Sequence, residues 1–249
     1  MTGLRITREG SVLRLTLQRP EKHNALDGEL IASLTGAFAG AGSARVVVVR
    51  GDGPSFSAGA DIDLMRAAVG QTREQNLADA QSWRALLDAA DACPVPVVAG
   101  VQGSALGGAC GLLACCDVVV VKRDARFGFS EVKIGLVPAV ISPFVVARIG
   151  PAARALFVTG ERFGAERALR IGLASELADD LDEAVERIVA EILTAGPEAA
   201  RIAKRIARTT LSAEEANELI AGLRTSEEGQ EGLLAFLERR TPAWREPGA

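Results

Sequence analysis

Residues 94–111 read PVPVVAGVQGSALGGACG, a run of small β-branched residues followed by a glycine-rich turn and an Ala/Leu/Cys-rich segment. The valines predict a buried strand, and residues 105–115 predict a helix. A strand, a glycine turn and a helix start aim unpaired backbone N–H groups at a bound anion, because the first turn of a helix has no internal acceptors for them. This stretch alone also fits tight strand–helix packing without a ligand.

A second copy of the pattern favours the functional interpretation. Residues 46–50 read VVVVR, followed by GDGPSFSAGAD and a helical segment predicted from Asp61 to Asp91. Two such units can each supply one backbone N–H group to the same oxygen atom. A preorganised pair of donors at a developing oxyanion is usually the largest single contribution to catalysis. The sequence therefore predicts an enzyme that stabilises an oxyanion.

Five segments resemble those of one family, the crotonase or enoyl-CoA hydratase/isomerase superfamily. They are RPEKHNALD (19–27), FSAGAD (56–61), GSALGGACG (103–111), FGFSEVKIGLVP (127–138) and FLERRTPAW (236–244). The resemblance spans essentially the whole chain and is specific for the superfamily, but not for one reaction. It implies an α/β fold, a crotonase-like spiral of repeated ββα units. We expect this core at 1–195 and a C-terminal helical region, which forms homotrimers or homohexamers, at 196–249.

The resemblance also implies where an acyl-CoA substrate binds. By the family pattern, the backbones of Ala60 and Gly108 hold the thioester oxygen, and Glu131 is the acid/base. Phenylalanines and aliphatic residues flank Glu131, so desolvation should raise the pKa of its carboxyl group to suit proton transfer. The remaining residues expected to contact substrate are Arg19, Lys22, Ala25, Ala58, Asp61, Ile62, Gly107 and Pro138.

Gly111 departs from the usual hydratase pattern, in which a second glutamate stands at this position. Three functions remain open. Glu131 alone could hydrate an enoyl-CoA, and the lost side chain would leave room for a branched or carboxylated acyl group. Residues 127–146 resemble methylglutaconyl-CoA-type hydratases, which favours this function. A single carboxylate also suffices for a Δ3,Δ2-enoyl-CoA isomerase, and an inactive acyl-CoA-binding or assembly protein is the third alternative.

Composition limits the possible binding partners and the possible cellular location of the protein. The 249 residues carry a net charge of -4, which does not suggest a nucleic-acid surface. The N-terminus lacks the apolar run of a signal peptide and no stretch reaches membrane-spanning length, so we expect a cytoplasmic protein without membrane contact. One histidine and four cysteines without CxxC spacing argue against a metal site. We expect buried cysteines, and no cofactor apart from the coenzyme A of the substrate.

Overall fold

Runs of β-branched residues form the central strands of the computed structural model, which describes residues 3–245. Valines make up more than half of the residues in three of these strands, 46–51, 97–101 and 118–122, because strands covered on both faces need apolar side chains on both. The strands of the described residues are β1 (Leu4–Glu9), β2 (Val12–Leu17), β3 (Val46–Gly51), β4 (Val97–Val101), β5 (Ser104–Leu106), β6 (Val118–Lys122), β7 (Arg126–Gly128), β8 (Arg162–Gly164) and β9 (Glu176–Ala178).

These strands form two sheets. In the larger sheet the order is β1-β2-β3-β4-β6-β9; β1 and β2 form an antiparallel hairpin, and every later pair is parallel. The smaller sheet has the order β5-β7-β8, with β5 and β7 parallel. Parallel neighbours end at the same edge of a sheet, so the segments that follow β3 and β4 lie close together. The predicted α/β class is confirmed.

Helices cover the sheets and supply most of the remaining described residues. None of the helices in residues 3–245 has both the length and the apolarity needed to cross a bilayer. All four cysteines are buried, as predicted. The helices are α1 (Gly28–Ala39), α2 (Ile62–Ala68), α3 (Arg73–Asp91), α4 (Gly108–Cys115), α5 (Ser142–Ile149), α6 (Ala152–Thr159), α7 (Ala165–Arg170), α8 (Leu181–Thr194), α9 (Pro197–Ile206), α10 (Ala213–Thr225) and α11 (Glu227–Glu238).

Two helix predictions were wrong in their extent. The helix predicted over 105–115 begins only at Gly108, because Gly107 adopts φ 52° and ψ −120°, which no helix contains, and the preceding three residues pair with β7. The segment after Asp61 forms two helices rather than one. Gly70, with φ 88°, lies in the break between α2 and α3. In the first case, pairing between β5 and β7 outweighed the helix propensity of the residues before Gly108.

The C-terminal helices begin where the predicted boundary lies, since α8 ends at Thr194 and α9 begins at Pro197. Lys204 of α9 joins this region to the core. Its side chain is 6% exposed, and its ammonium group contacts Asp117 at 2.9 Å and donates to the Val95 carbonyl oxygen at 3.0 Å. Residues 1–2 and 246–249 of the two predicted regions lie outside the described residues. The division into two regions stays a prediction.

Replacement of Asp117 by alanine should lower the free energy of unfolding by about 3 kcal/mol, because Lys204 would remain buried without its counter-charge. The same carboxylate also accepts from the Val97 N–H group at 2.7 Å. Chemical denaturation measures the change. As a control, Asp179→Ala removes the exposed Arg123–Asp179 pair and should cost less than about 1 kcal/mol. Equal losses from both variants would contradict the structural role of Lys204.

Candidate active site

The loops that follow β3 and β4 run side by side. The Phe56 N–H group donates to the Gln102 carbonyl oxygen at 2.8 Å, and the Ser57 N–H group donates to that of Ser104 at 3.0 Å. Leu106 returns a hydrogen bond to the Ser57 carbonyl oxygen at 3.1 Å. Ladder-like bonds between two glycine-rich loops hold both backbones in register. The two halves of the predicted oxyanion site are thereby brought together.

Ala60 and Gly108 carry the two amides that the sequence singled out. Between residues 3 and 245, neither N–H group donates to a protein acceptor. Gly108 is the first residue of α4, where a helix has no internal acceptor. A Cβ placed on Gly59 would lie 3.7 Å from the Gly108 nitrogen and 2.5 Å from the Leu106 carbonyl oxygen. Glycine at 59, with φ 88°, therefore allows the close approach of the two loops.

Asn24 holds the first of these loops and was missed by the sequence analysis. Its side chain is fully buried, and Nδ2 donates to the carbonyl oxygens of Asp52 and Ser55 at 2.8 Å each. Its Oδ1 accepts from the Arg19 N–H group at 2.8 Å, and its carbonyl oxygen accepts from the Ser57 hydroxyl. Its φ of 52° is one that asparagine tolerates better than most residues. This tolerance of a positive φ was the one sequence feature that could have indicated a structural role for Asn24.

Asp61 closes the loop that carries Ala60. Its carboxylate is almost fully buried, and it caps α2 by accepting from the Asp63 N–H group at 2.9 Å. The Arg19 guanidinium lies at 2.8 Å and the Lys22 ammonium at 3.3 Å. Burial by itself would raise the pKa of Asp61, but the hydrogen bonds from Asp63, Arg19 and Lys22 outweigh it and lower that pKa. Asp61 is thus a charged anchor of the loop.

Arg19 is committed to contacts inside the protein. Besides Asp61, its guanidinium pairs with Asp27 at 3.0 Å and donates to the Ala25 carbonyl oxygen at 2.6 Å, and its side chain is 14% exposed. These contacts make Arg19 a positioning residue for the loop. Lys22 is more open, although it also contacts Asp63 at 2.8 Å. The expected contacts of both residues with coenzyme A phosphates stay predictions.

A cavity of about 480 Å³ opens beside Ala60. Most of the residues expected to contact substrate line it, and they come from two separate segments of the chain, 21–25 and 58–66. The backbone N–H group of Ala58, in its wall, donates to the His23 carbonyl oxygen at 2.9 Å. The cavity is lined by Glu21, Lys22, His23, Ala25, Ala58, Ala60, Asp61, Ile62, Asp63, Met65 and Arg66.

Glu131 lies next to the second glycine turn because β7 pairs with β5. The Gly107 N–H group donates to the Gly128 carbonyl oxygen at 2.8 Å, and a short 3₁₀ helix, Ser130–Ile134, then carries Glu131. Its Oε1 lies 3.1 Å from where a Cβ on Gly107 would stand. Pro138 is buried in the segment that leads from this turn to α5. The structure therefore brings the predicted acid/base to the turn that precedes Gly108.

The Glu131 carboxylate is only partly solvated. Its Oε2 is buried and has no hydrogen-bond partner within the described part of the chain. Desolvation raises the pKa of this carboxyl group, and a hydrogen bond from its own backbone offsets only part of the rise. The predicted upward shift is confirmed. An unpartnered, desolvated carboxylate is suited to accept a proton from a bound molecule.

Gly111 does not leave open space, and that expectation was wrong. A Cβ at this position would lie 2.8 Å from the Ile141 Cβ, closer still to its Cγ2, and 3.5 Å from the Leu87 Cδ2. Ile141 is 4% exposed, and Leu87 is fully buried. The volume that a second carboxylate would need is therefore occupied by an isoleucine side chain, and the wall is apolar there.

Comparison with known proteins agrees with this geometry. The family model described as enoyl-CoA hydratase/isomerase matches residues 7–247. A crystal structure of an enoyl-CoA hydratase from Shewanella pealeana superimposes with a TM-score of 0.91 at 38% identity, covering 97% of this chain and 96% of that one. The 2,3-dehydroadipyl-CoA hydratase of Escherichia coli is 32% identical over 98% of this chain and 99% of its own. The carnitinyl-CoA dehydratase of Salmonella arizonae is 32% identical, with 98% of both chains covered. This chain therefore belongs to the enoyl-CoA hydratase/isomerase family.

Proposed function

We propose that the protein adds water across the 2,3 double bond of an enoyl-CoA thioester, with Glu131 as its only carboxylate acid/base. The observation that carries this proposal is the buried, unpartnered Glu131 Oε2 beside the turn that precedes Gly108. The amides of Ala60 and Gly108 supply the oxyanion donors. Membership of the family supports a CoA thioester as the substrate.

The reaction uses these groups in two proton transfers. Glu131 Oε2 accepts a proton from water as the water oxygen bonds to carbon 3. The electron pair of the double bond moves onto the thioester oxygen, where the two amides stabilise the enolate. The proton on Glu131 then passes to carbon 2, and the carbonyl re-forms. Atoms and charge balance, and the carboxylate returns to its starting state.

A Δ3,Δ2-enoyl-CoA isomerase is the second candidate, favoured by the Ile141 side chain that fills the place of a second carboxylate. One carboxylate can remove a proton from carbon 2 and deliver it to carbon 4 without any bound water. Ultraviolet absorbance of the conjugated thioester separates the candidates. Hydration of crotonyl-CoA lowers it, whereas isomerisation of a Δ3-enoyl-CoA raises it. Binding without either change would indicate the inert acyl-CoA-binding alternative.

We infer that coenzyme A enters as part of the substrate along the cavity beside Ala60. The neighbouring Lys22 is the cation we assign to its phosphates, and Ala25, Ala58 and Ile62 are the further contacts we propose. The proposed homotrimer or homohexamer is supported by two highly exposed apolar side chains on α11, Phe236 (82%) and Leu237 (74%). A cytoplasmic location remains part of the proposal, but a branched or carboxylated acyl group does not, because Ile141 fills the space expected at Gly111.

Glu131→Gln should abolish turnover while coenzyme A affinity stays unchanged, because the amide cannot accept the proton from water. Steady-state assays with crotonyl-CoA, alongside calorimetric titration with butyryl-CoA, give the two readouts. Glu183→Gln is the matched control, since Glu183 is an exposed glutamate in the first turn of α8 and does not line the cavity beside Ala60. Turnover near the wild-type rate in Glu131→Gln would refute the acid/base assignment.

The same variant has a second consequence for stability. Because burial raises the pKa of Glu131 in the folded chain, the cost of deprotonation is fully present above the folded-state pKa and absent below the unfolded-state pKa. Glu131→Gln should therefore be more stable than the wild type at neutral pH, and the difference should vanish near about pH 4. Denaturant unfolding at both pH values measures it. A difference independent of pH would contradict the desolvation of this carboxyl group.

Gly111→Glu alone should not improve hydration, because its Cβ overlaps Ile141. We expect a loss of about 1–3 kcal/mol in the free energy of unfolding from overpacking. Gly111→Glu combined with Ile141→Ala should recover part of that loss and hydrate crotonyl-CoA faster than Ile141→Ala alone. If the single variant is as stable as the wild type, Ile141 does not fill this volume.

A further inference from the structure

Trp83 of α3 packs against the residue that carries one of the two oxyanion donors. A Cβ at Gly108 would lie 2.5 Å from the Trp83 Cη2, and closer still to its Cζ3. The indole ring therefore rests on the α-carbon of Gly108, and no larger residue fits there without moving the ring. Glycine at 108 thus makes room for the ring of Trp83.

One turn further along α4, the same face meets α3 again. Gly111 follows Gly108 by three residues, and Leu87 follows Trp83 by four, so each pair lies on one face of its helix. The space beside Gly111 is filled by Ile141 and Leu87, which are both buried in the core. Trp83 differs from these two because it is only partly buried. It is therefore the large side chain of this wall that reaches the edge of the core.

The position of the Gly108 amide determines which part of a bound substrate contacts the Trp83 indole. An oxygen held by the Gly108 amide lies within one residue of the α-carbon that Trp83 covers. Glu131 lies next to the preceding residue, Gly107. The first carbons of an acyl group bound through that oxygen consequently lie close to both the carboxylate and the indole.

We propose that Trp83 is a specificity-determining residue that restricts the acyl group to short, apolar chains. This inference depends on the thioester position given under the proposed function. The indole supplies a large, rigid surface at low cost in side-chain entropy, and it has no charge to pair with an acyl carboxylate. A bulky or long acyl group would have to displace the ring from the α-carbon of Gly108.

The kinetic test compares crotonyl-CoA with trans-2-decenoyl-CoA in Trp83→Ala and Trp83→Phe. Since one methylene in an apolar pocket changes kcat/KM by about tenfold or more, the ratio of decenoyl to crotonyl kcat/KM should rise at least about tenfold in Trp83→Ala. The phenylalanine variant should fall between alanine and the wild type. Leu77→Ala is the control, because Leu77 lies on the same helix but is 48% exposed. An unchanged ratio in folded Trp83→Ala would overturn the proposal, as would an equal rise in Leu77→Ala.

A second measurement does not need turnover. The chain has two tryptophans, and the other, Trp244, donates to the Thr194 carbonyl oxygen far along the sequence. In Trp244→Phe, the emission of Trp83 should change on saturation with butyryl-CoA and change less with coenzyme A, which has no acyl group. If Trp244→Phe does not fold, the difference between wild type and Trp83→Phe gives the same signal.

The two proposals fail in different ways. Unchanged Trp83 emission, while calorimetry shows that butyryl-CoA is bound, would overturn the role of Trp83. An emission change in a protein that neither hydrates nor isomerises enoyl-CoA would instead refute the proposed function and support the contact between Trp83 and the acyl group.

Discussion

The hydrogen bonds between the loops after β3 and β4 are the constraint on which the site depends. Backbone bonds from Phe56 and Ser57 to Gln102 and Ser104 hold two glycine-rich segments, about fifty positions apart in the sequence, side by side. Each loop then turns so that one amide is left without a protein acceptor. A partly buried N–H group without a protein acceptor costs some stability, so a site that keeps two of them needs a rigid frame. The sheet supplies that frame.

The two carboxylates of the site lie in different electrostatic environments. On the side of the cavity, Asp61 is buried but well paired, and its cations keep it ionised. On the side of Glu131, the carboxylate is desolvated and its Oε2 has no hydrogen-bond partner among the described residues. A carboxylate in such surroundings holds a proton more readily than an exposed one. The same chain thus contains one carboxylate with a structural function and one suited to proton transfer.

Much of this architecture could be predicted from local pattern. The N-terminal hairpin, the valine strands, the stops of α5 and α6 at Gly150 and Gly160, and the amphipathic α8 all follow from short-range periodicity and glycine placement. The position of Glu131 beside the second turn followed from the family resemblance. The predictions that were wrong concerned features that depend on contacts between residues distant in the sequence. Residues 104–106 became a strand because β7 was available as a partner, and no local signal announced it.

The environment of Gly111 shows most clearly how long-range packing limits prediction from sequence. The absence of a side chain at this position was visible in the sequence and suggested space. Whether a gap stays open depends on neighbours that are distant in sequence, here Leu87 and Ile141. The buried amide of Asn24 shows the same limitation, because its partners lie beyond β3. Sequence motifs indicated which residues matter, whereas packing decided what each position can accommodate.

The central claim is that two backbone amides polarise one thioester carbonyl, and vibrational spectroscopy tests it most directly. The carbonyl stretching frequency of butyryl-CoA labelled with ¹³C at the thioester carbon can be followed by isotope-edited infrared difference spectra. Two preorganised donors in a partly dry site should lower that frequency below its value in water. A bound carbonyl that absorbs at or above its frequency in water would contradict the convergence of Ala60 and Gly108 on one oxygen.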